Sequence, residues 1–101
     1  PIFDPQALQT HICSKKVAVS SANMVYQAAK ISRKLLKKIK HPTLILHSIY
    51  DQTSDFQSSV VLIKKIKSNE KKLIPLHRSN HVITLDYDRE FVEEKVVEFV
   101  L

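Results

Sequence analysis

Two short apolar runs, each followed by a polar turn and then by a helical pattern, organise the second half of this chain. Residues 43–47 (TLILH) are apolar and partly β-branched, which predicts a strand buried on both faces. Residues 71–77 (KKLIPLH) give a second strand, although Pro75 either argues against a strand there or places it at a sheet edge. Between them, residues 48–55 are turn-like, and residues 58–67 predict a helix with Val60, Ile63 and Ile66 near one face. Ser68, Asn69 and Glu70 form a turn. Residues 78–87 read as a loop and residues 88–101 as a last helix, with Val92, Val96, Phe99 and Val100 as its apolar stripe. Upstream, a helix starts at Ser20 or Ser21 with a serine cap. It carries Val25, Ala28, Ala29, Ser32, Leu35, Leu36 and Ile39 on one face, and Pro42 ends it. Residues 1–19 show no period, and Pro1 and Pro5 argue for an irregular start.

The order helix, strand, helix, strand, helix with short connections implies a parallel strand pair and a right-handed crossover. Parallel strands about 4.8 Å apart deliver their following loops to the same sheet edge. Asp51, just past the first strand, and His81, just past the second, can thereby meet although they lie thirty positions apart. An acid and a histidine so placed match the acid–base half of a Ser-His-Asp triad. The plainer reading of the same residues is a capping aspartate and a solvated loop histidine.

Composition sharpens this. The chain has 101 residues, enough for one domain or part of one, and no glycine. Average usage would give about seven. Without glycine there is no G-x-S-x-G elbow to hold a nucleophile, no Walker A loop and no dinucleotide fingerprint. The expectation is therefore a C-terminal piece of a hydrolase domain that lacks its nucleophile elbow. The net charge of +6 is concentrated in residues 1–40, which hold eight Lys/Arg against the single acid Asp4. Residues 41–101 are close to neutral. The lone Cys13 excludes an internal disulfide and a CxxC metal pair, and it fits a reducing, cytoplasmic setting. No apolar run approaches the roughly 18–20 residues that span a bilayer.

At the level of motif, PTLILHSIYD (42–51) followed by SNHVITLD (79–86) resembles the last two strands of the α/β-hydrolase fold. The similarity is to bacterial carboxylesterases and monoacylglycerol-lipase-like serine hydrolases, and it covers about residues 21–101. It implies an α/β fold class, with this chain the C-terminal strand–helix–strand–helix portion of a parallel sheet. Residues 1–19 would be a cap or connecting segment and residues 20–101 the C-terminal part of the hydrolase domain. By position, the resemblance makes Asp51 the triad acid and His81 the general base. It implies hydrolysis of a small ester or lipid ester with no metal and no organic cofactor. Ser48 and Asn80 stand where the family pattern has glycine; asparagine tolerates a positive φ better than most residues and could keep that turn.

Other candidates are weaker on their own context. Asp55 is the reserve acid, and Asp86 reads as a cap for the last helix. His77 and His81 straddle a strand end rather than sharing a helix face, which does not suit zinc. His11, His41 and His47 read as packing or surface residues. Cys13 precedes the acid and histidine, as a nucleophile would, but lacks an elbow. Ser48, Ser54, Ser58 and Ser79 read as turn and cap residues. The basic stretch 30–40 would contact an anionic membrane surface or simply face water, and nucleic acid is not expected. The alternative of a different class is a non-catalytic α/β-hydrolase remnant or interaction module. Its open sheet edge would pair with the missing N-terminal half of the domain or with a second copy.

Overall fold

The computed structural model describes residues 2–10 and 19–101. Its elements are α1 (Pro5–Thr10), α2 (Val19–Leu35) with a 3-10 turn (Leu36–Lys38), β1 (Thr43–Ser48), α3 (Phe56–Lys65), β2 (Lys71–Leu76) and α4 (Arg89–Val100). The two strands are parallel, in register from Thr43 opposite Lys71 to Ser48 opposite Leu76. The crossover through α3 is the strand–helix–strand unit that the pattern predicts.

The ladder explains Pro75. Thr43 N–H donates to the Glu70 carbonyl at 2.9 Å and Ile49 N–H to the Leu76 carbonyl at 3.0 Å. Odd-numbered residues of β1 and even-numbered residues of β2 therefore point their backbone groups at each other. The nitrogen of Pro75, opposite His47 in the register, faces the outer edge, where no donor is needed. By the same phase, Leu44 and Leu46 turn their backbone groups to the far edge of β1, and no described strand pairs there.

Alternation along β1 sends Ile45 and His47 to one face and Leu44 and Leu46 to the other. His47 meets α3, where its ring lies edge-on to Phe56 at 5.6 Å. Leu44 and Ile74 line a hollow with Phe99 of α4. The sheet is thus a thin middle layer between two helices. Ile66, Leu76 and Val92 are its buried apolar residues, joined by Ile2 from the N-terminal segment.

Several elements differ from the sequence expectation, each for a physical reason. Residues 5–10 are helical rather than irregular, because Asp4 caps them: Gln6 N–H donates to its Oδ1 at 3.0 Å, and Pro5 fills the first helical position. Helix α3 begins at Phe56 rather than residue 58, because the Asp55 side chain accepts from Gln57 N–H at 3.0 Å. Strand β1 is half-buried before Ser48 rather than buried on both faces, and among the described residues only β2 pairs with it. No residue of α2 is buried; Met24, Val25, Tyr26, Ile31 and Leu35 are all exposed. On α4, Val92 is buried but Val96 and Val100 are exposed. Among the described residues, α2 packs on neither strand, so its stripe stays uncovered. The radius of gyration, 15.2 Å, exceeds the ~13 Å of a closed domain of this length. Among the described residues, no helix is long and apolar enough to cross a membrane.

Candidate acid–base site

The loop after β1 and the loop after β2 meet at the carboxyl end of the sheet, as the parallel pairing requires. Asp51 organises the first loop. Its Oδ1 accepts from the N–H groups of Thr53 and Ser54, both at 2.8 Å, so the carboxylate is held by its own turn. Its Oδ2 lies 2.9 Å from Nδ1 of His81. The Asp51 side chain is 3% exposed and that of His81 is 40% exposed.

Beside a carboxylate, Nδ1 of His81 carries the proton and donates it, which leaves Nε2 as the basic nitrogen. Among the described residues, Nε2 of His81 makes no hydrogen bond. Burial alone would raise the Asp51 carboxyl. The Ser54 N–H, the bond and charge of His81 and the Thr53 N–H outweigh it and bring the group from 3.8 to about 2. The acid is therefore ionised throughout the neutral range.

Two side chains fasten the loops together, and both stand where the resembled pattern has glycine. Ser48, fully buried, donates from Oγ to the Ser79 carbonyl and accepts from Tyr50 N–H at 3.0 Å. Asn80 Oδ1 accepts from Gln52 N–H at 2.9 Å, and its Nδ2 donates to Gln52 Oε1 at 2.9 Å. No described residue has a positive φ. Asn80 therefore keeps its turn by side-chain bonding and not, as the sequence suggested, by left-handed backbone.

Asp86 is the second organising acid, and its role corrects the expected helix cap. It is fully buried, and its carboxylate accepts from Asn80 N–H at 3.0 Å, Phe3 N–H at 2.6 Å, Asp4 N–H at 2.8 Å and Tyr87 N–H at 2.9 Å. Burial pushes its carboxyl up, and these four donors more than offset that, leaving it below its ordinary value. One carboxylate thus closes the His81 loop and pins the N-terminal segment to it. Arg89 Nη1 adds an ion pair to Asp4 at 2.9 Å. Asp88 sits at the head of α4, but its Oδ2 is committed to Arg78 N–H and Ser79 Oγ, at 3.0 and 2.7 Å.

His47 was not singled out by the sequence as a site residue. Its Nε2 lies 3.0 Å from Asp51 Oδ2, and its Nδ1 lies 2.5 Å from Ser59 Oγ. The available signal was a lone titratable side chain inside an apolar strand, four residues before the acid. Asp55 is the α3 cap and takes no part. His77 is exposed beyond β2. Ser48 and Ser79 are fully buried and hydrogen-bonded, and no described serine bonds to His81. His11 and Cys13 lie outside the described residues. Among the described residues no cluster of three metal-ligating side chains occurs.

Comparison with known proteins bears on the family and the fold. The carboxylesterase of Bacillus subtilis (strain 168) is 31% identical over 62 residues, 61% of this chain and 25% of its own length. A thermostable monoacylglycerol lipase of Bacillus sp. (strain H-257) is 36% identical over 64 residues, covering 63% of this chain and 26% of its own. The chain spans about a quarter of the length of these curated relatives. A solved structure associated with LipS and LipT, two metagenome-derived lipolytic enzymes, shares its fold with a TM-score of 0.67. Identity there is 34%, over 69% of this chain and 29% of that one. The sequence pattern of the family described as serine aminopeptidase, S33, matches residues 6–88. With most of its length inside that match, the chain belongs to the serine aminopeptidase S33 family of α/β-hydrolases.

Proposed function

We propose that this chain supplies the acid and the general base of a serine hydrolase that cleaves carboxylic esters. The observation that carries the proposal is the 2.9 Å contact between Asp51 Oδ2 and His81 Nδ1, with Nε2 of His81 unengaged among the described residues. In the complete protein, Nε2 takes the proton from a serine hydroxyl as that oxygen attacks the ester carbonyl. It then returns the proton to the leaving alcohol. Asp51 holds the imidazole in the Nδ1–H tautomer and stabilises the imidazolium that forms. The serine and the oxyanion donors come from outside these residues, since a chain without glycine holds no G-x-S-x-G elbow. Small esters and monoacylglycerols are the substrate class, by kinship with the carboxylesterase and the monoacylglycerol lipase.

The test is turnover of p-nitrophenyl acetate by the complete protein and its His81→Ala variant. Loss of turnover with folding intact is expected, and retained turnover would sink the assignment.

A second reading is a non-catalytic interaction module. Its support is the far edge of β1, unpaired among the described residues, together with the bare apolar stripe of α2. On this reading the 101-residue chain self-associates through that edge. A monodisperse, folded monomer by light scattering argues against it.

A further inference from the structure

A single carboxylate oxygen, Oδ2 of Asp51, receives two imidazoles: Nδ1 of His81 at 2.9 Å and Nε2 of His47 at 3.0 Å. His47 is the more enclosed of the two, its side chain 12% exposed against 40% for His81. Its Nε2 also lies 3.0 Å from the Ser54 carbonyl. A nitrogen between a carboxylate and a carbonyl carries the hydrogen, so Nε2 of His47 is a donor. The Nδ1 of His47 is then the acceptor for Ser59 Oγ, 2.5 Å away on α3. Phe56 closes one side of the ring.

We propose that His47 is a positioning residue for the Asp51–His81 pair, acting through Asp51 and held in place by Ser59. The inference rests on the acid–base reading above. A carboxylate has about four lone-pair sites. Here all four have donors: Thr53 and Ser54 on Oδ1, His47 and His81 on Oδ2. With every site occupied, the carboxylate cannot turn about its Cβ–Cγ bond without breaking a bond. Oδ2 therefore stays aimed at Nδ1 of His81. Three of the four donors come from β1 and its following loop, so they hold their geometry when His81 moves.

His47 also sets how much negative charge reaches His81, because its donated bond withdraws charge from the oxygen they share. Without that bond, Oδ2 favours the imidazolium form of His81 more strongly. The acid limb of the pH–activity profile, which reports protonation of His81, then moves to higher pH. Among the described residues, His47 is surrounded by Asp51, with His81 behind it, and by the Ser54 carbonyl on the loops; by neutral Phe56 and Ser59 on α3, after the Asp55 cap; and by Pro75 opposite on β2, which His77 follows in sequence.

The experiment measures kcat, KM and the pH profile of kcat/KM for p-nitrophenyl acetate in the complete protein. Three variants are compared, His47→Leu, His47→Gln and Ser59→Ala, each checked for folding by its thermal midpoint. Leucine keeps bulk and removes the donor. We expect kcat to fall about tenfold to hundredfold, KM to stay within about twofold, and the acid limb to shift upward. Glutamine places an amide N–H near the position of Nε2 and should restore most of kcat and the wild-type limb. Ser59→Ala should move both readouts in the direction of leucine, by less. Wild-type kcat and limb in His47→Leu would overturn the proposal, as would a glutamine variant as impaired as leucine. Should leucine not fold, an unchanged kcat and limb in Ser59→Ala overturns it instead. His81→Ala is run alongside. If it retains turnover, the acid–base reading and this inference both fall; if it is inactive while His47→Leu behaves as wild type, only this inference falls.

Discussion

Asn80 and Gln52 exchange two hydrogen bonds across the site. The backbone N–H of Gln52 donates to Asn80 Oδ1, and Asn80 Nδ2 donates to Gln52 Oε1, each at 2.9 Å. One residue neighbours the acid and the other neighbours the histidine. The pair therefore fixes the separation of Asp51 and His81 without touching either.

Replacing Asn80 by Ala removes both bonds and leaves Gln52 N–H without its partner. We expect a loss of about 1–3 kcal/mol in the urea unfolding free energy and a lower kcat at unchanged KM. Equal stability of Asn80→Ala and wild type would show that the loops are held by other contacts.

Ser48 makes the second link, and it is fully buried. In Ser48→Ala the Ser79 carbonyl and Tyr50 N–H lose their partner, at a cost of about 1–3 kcal/mol. Ser48→Gly restores the residue type of the resembled pattern but not the bonds. It should be no more stable than the alanine variant, and equilibrium unfolding of the two decides this.

Asp86 serves four backbone donors from three parts of the chain. An amide in its place offers one acceptor oxygen and sets an N–H₂ group against N–H donors. Asp86→Asn should cost about 3 kcal/mol or more. It should also release residues 2–10 first, read as faster amide exchange at Phe3 and Asp4 than in the sheet.

Stability should fall in acid with a defined sign. The folded Asp51 carboxyl sits at about 2 against an ordinary 3.8, so the unfolded chain binds the proton first as pH drops. The contribution, on the order of 2 kcal/mol, is complete above about pH 5 and disappears as pH falls through about 2. Asp86, also lowered, acts in the same direction. Denaturant unfolding between pH 5 and pH 2.5 should show this slope, and Asp51→Asn should flatten it. An equal slope in that variant would assign the acid sensitivity elsewhere.

The sheet and its meeting loops were legible because they follow from short-range signals. Apolar runs of strand length flank a helical pattern, parallel pairing then lets Asp51 and His81 meet, and the motif resemblance singles out that pair. The role of Asp86 was not legible, because its partners Phe3 and Asp4 lie more than eighty residues away. No local pattern separates a buried acceptor from a helix cap. His47 was hidden for the opposite reason. A histidine in an apolar strand reads as packing until the turn after it brings Asp51 back to its Nε2. The apolar spacing of α2 and α4 is visible in the sequence, but an apolar stripe does not say what covers it: α2 buries none of its residues and α4 only Val92. At Asn80 the residue type suggested backbone freedom, whereas its value lies in the amide.

The most direct test of the Asp51–His81 pair is the rate at which a fluorophosphonate labels the complete protein, with and without His81→Ala. Labelling needs an activated serine but no ester pocket of known shape. A single adduct is expected on a serine outside these 101 residues. In His81→Ala its rate should fall about 10³-fold or more, the scale of losing a triad base. An undiminished rate in that variant, or an adduct on a serine of this chain, would contradict the assignment of His81 as the base for a nucleophile supplied from elsewhere.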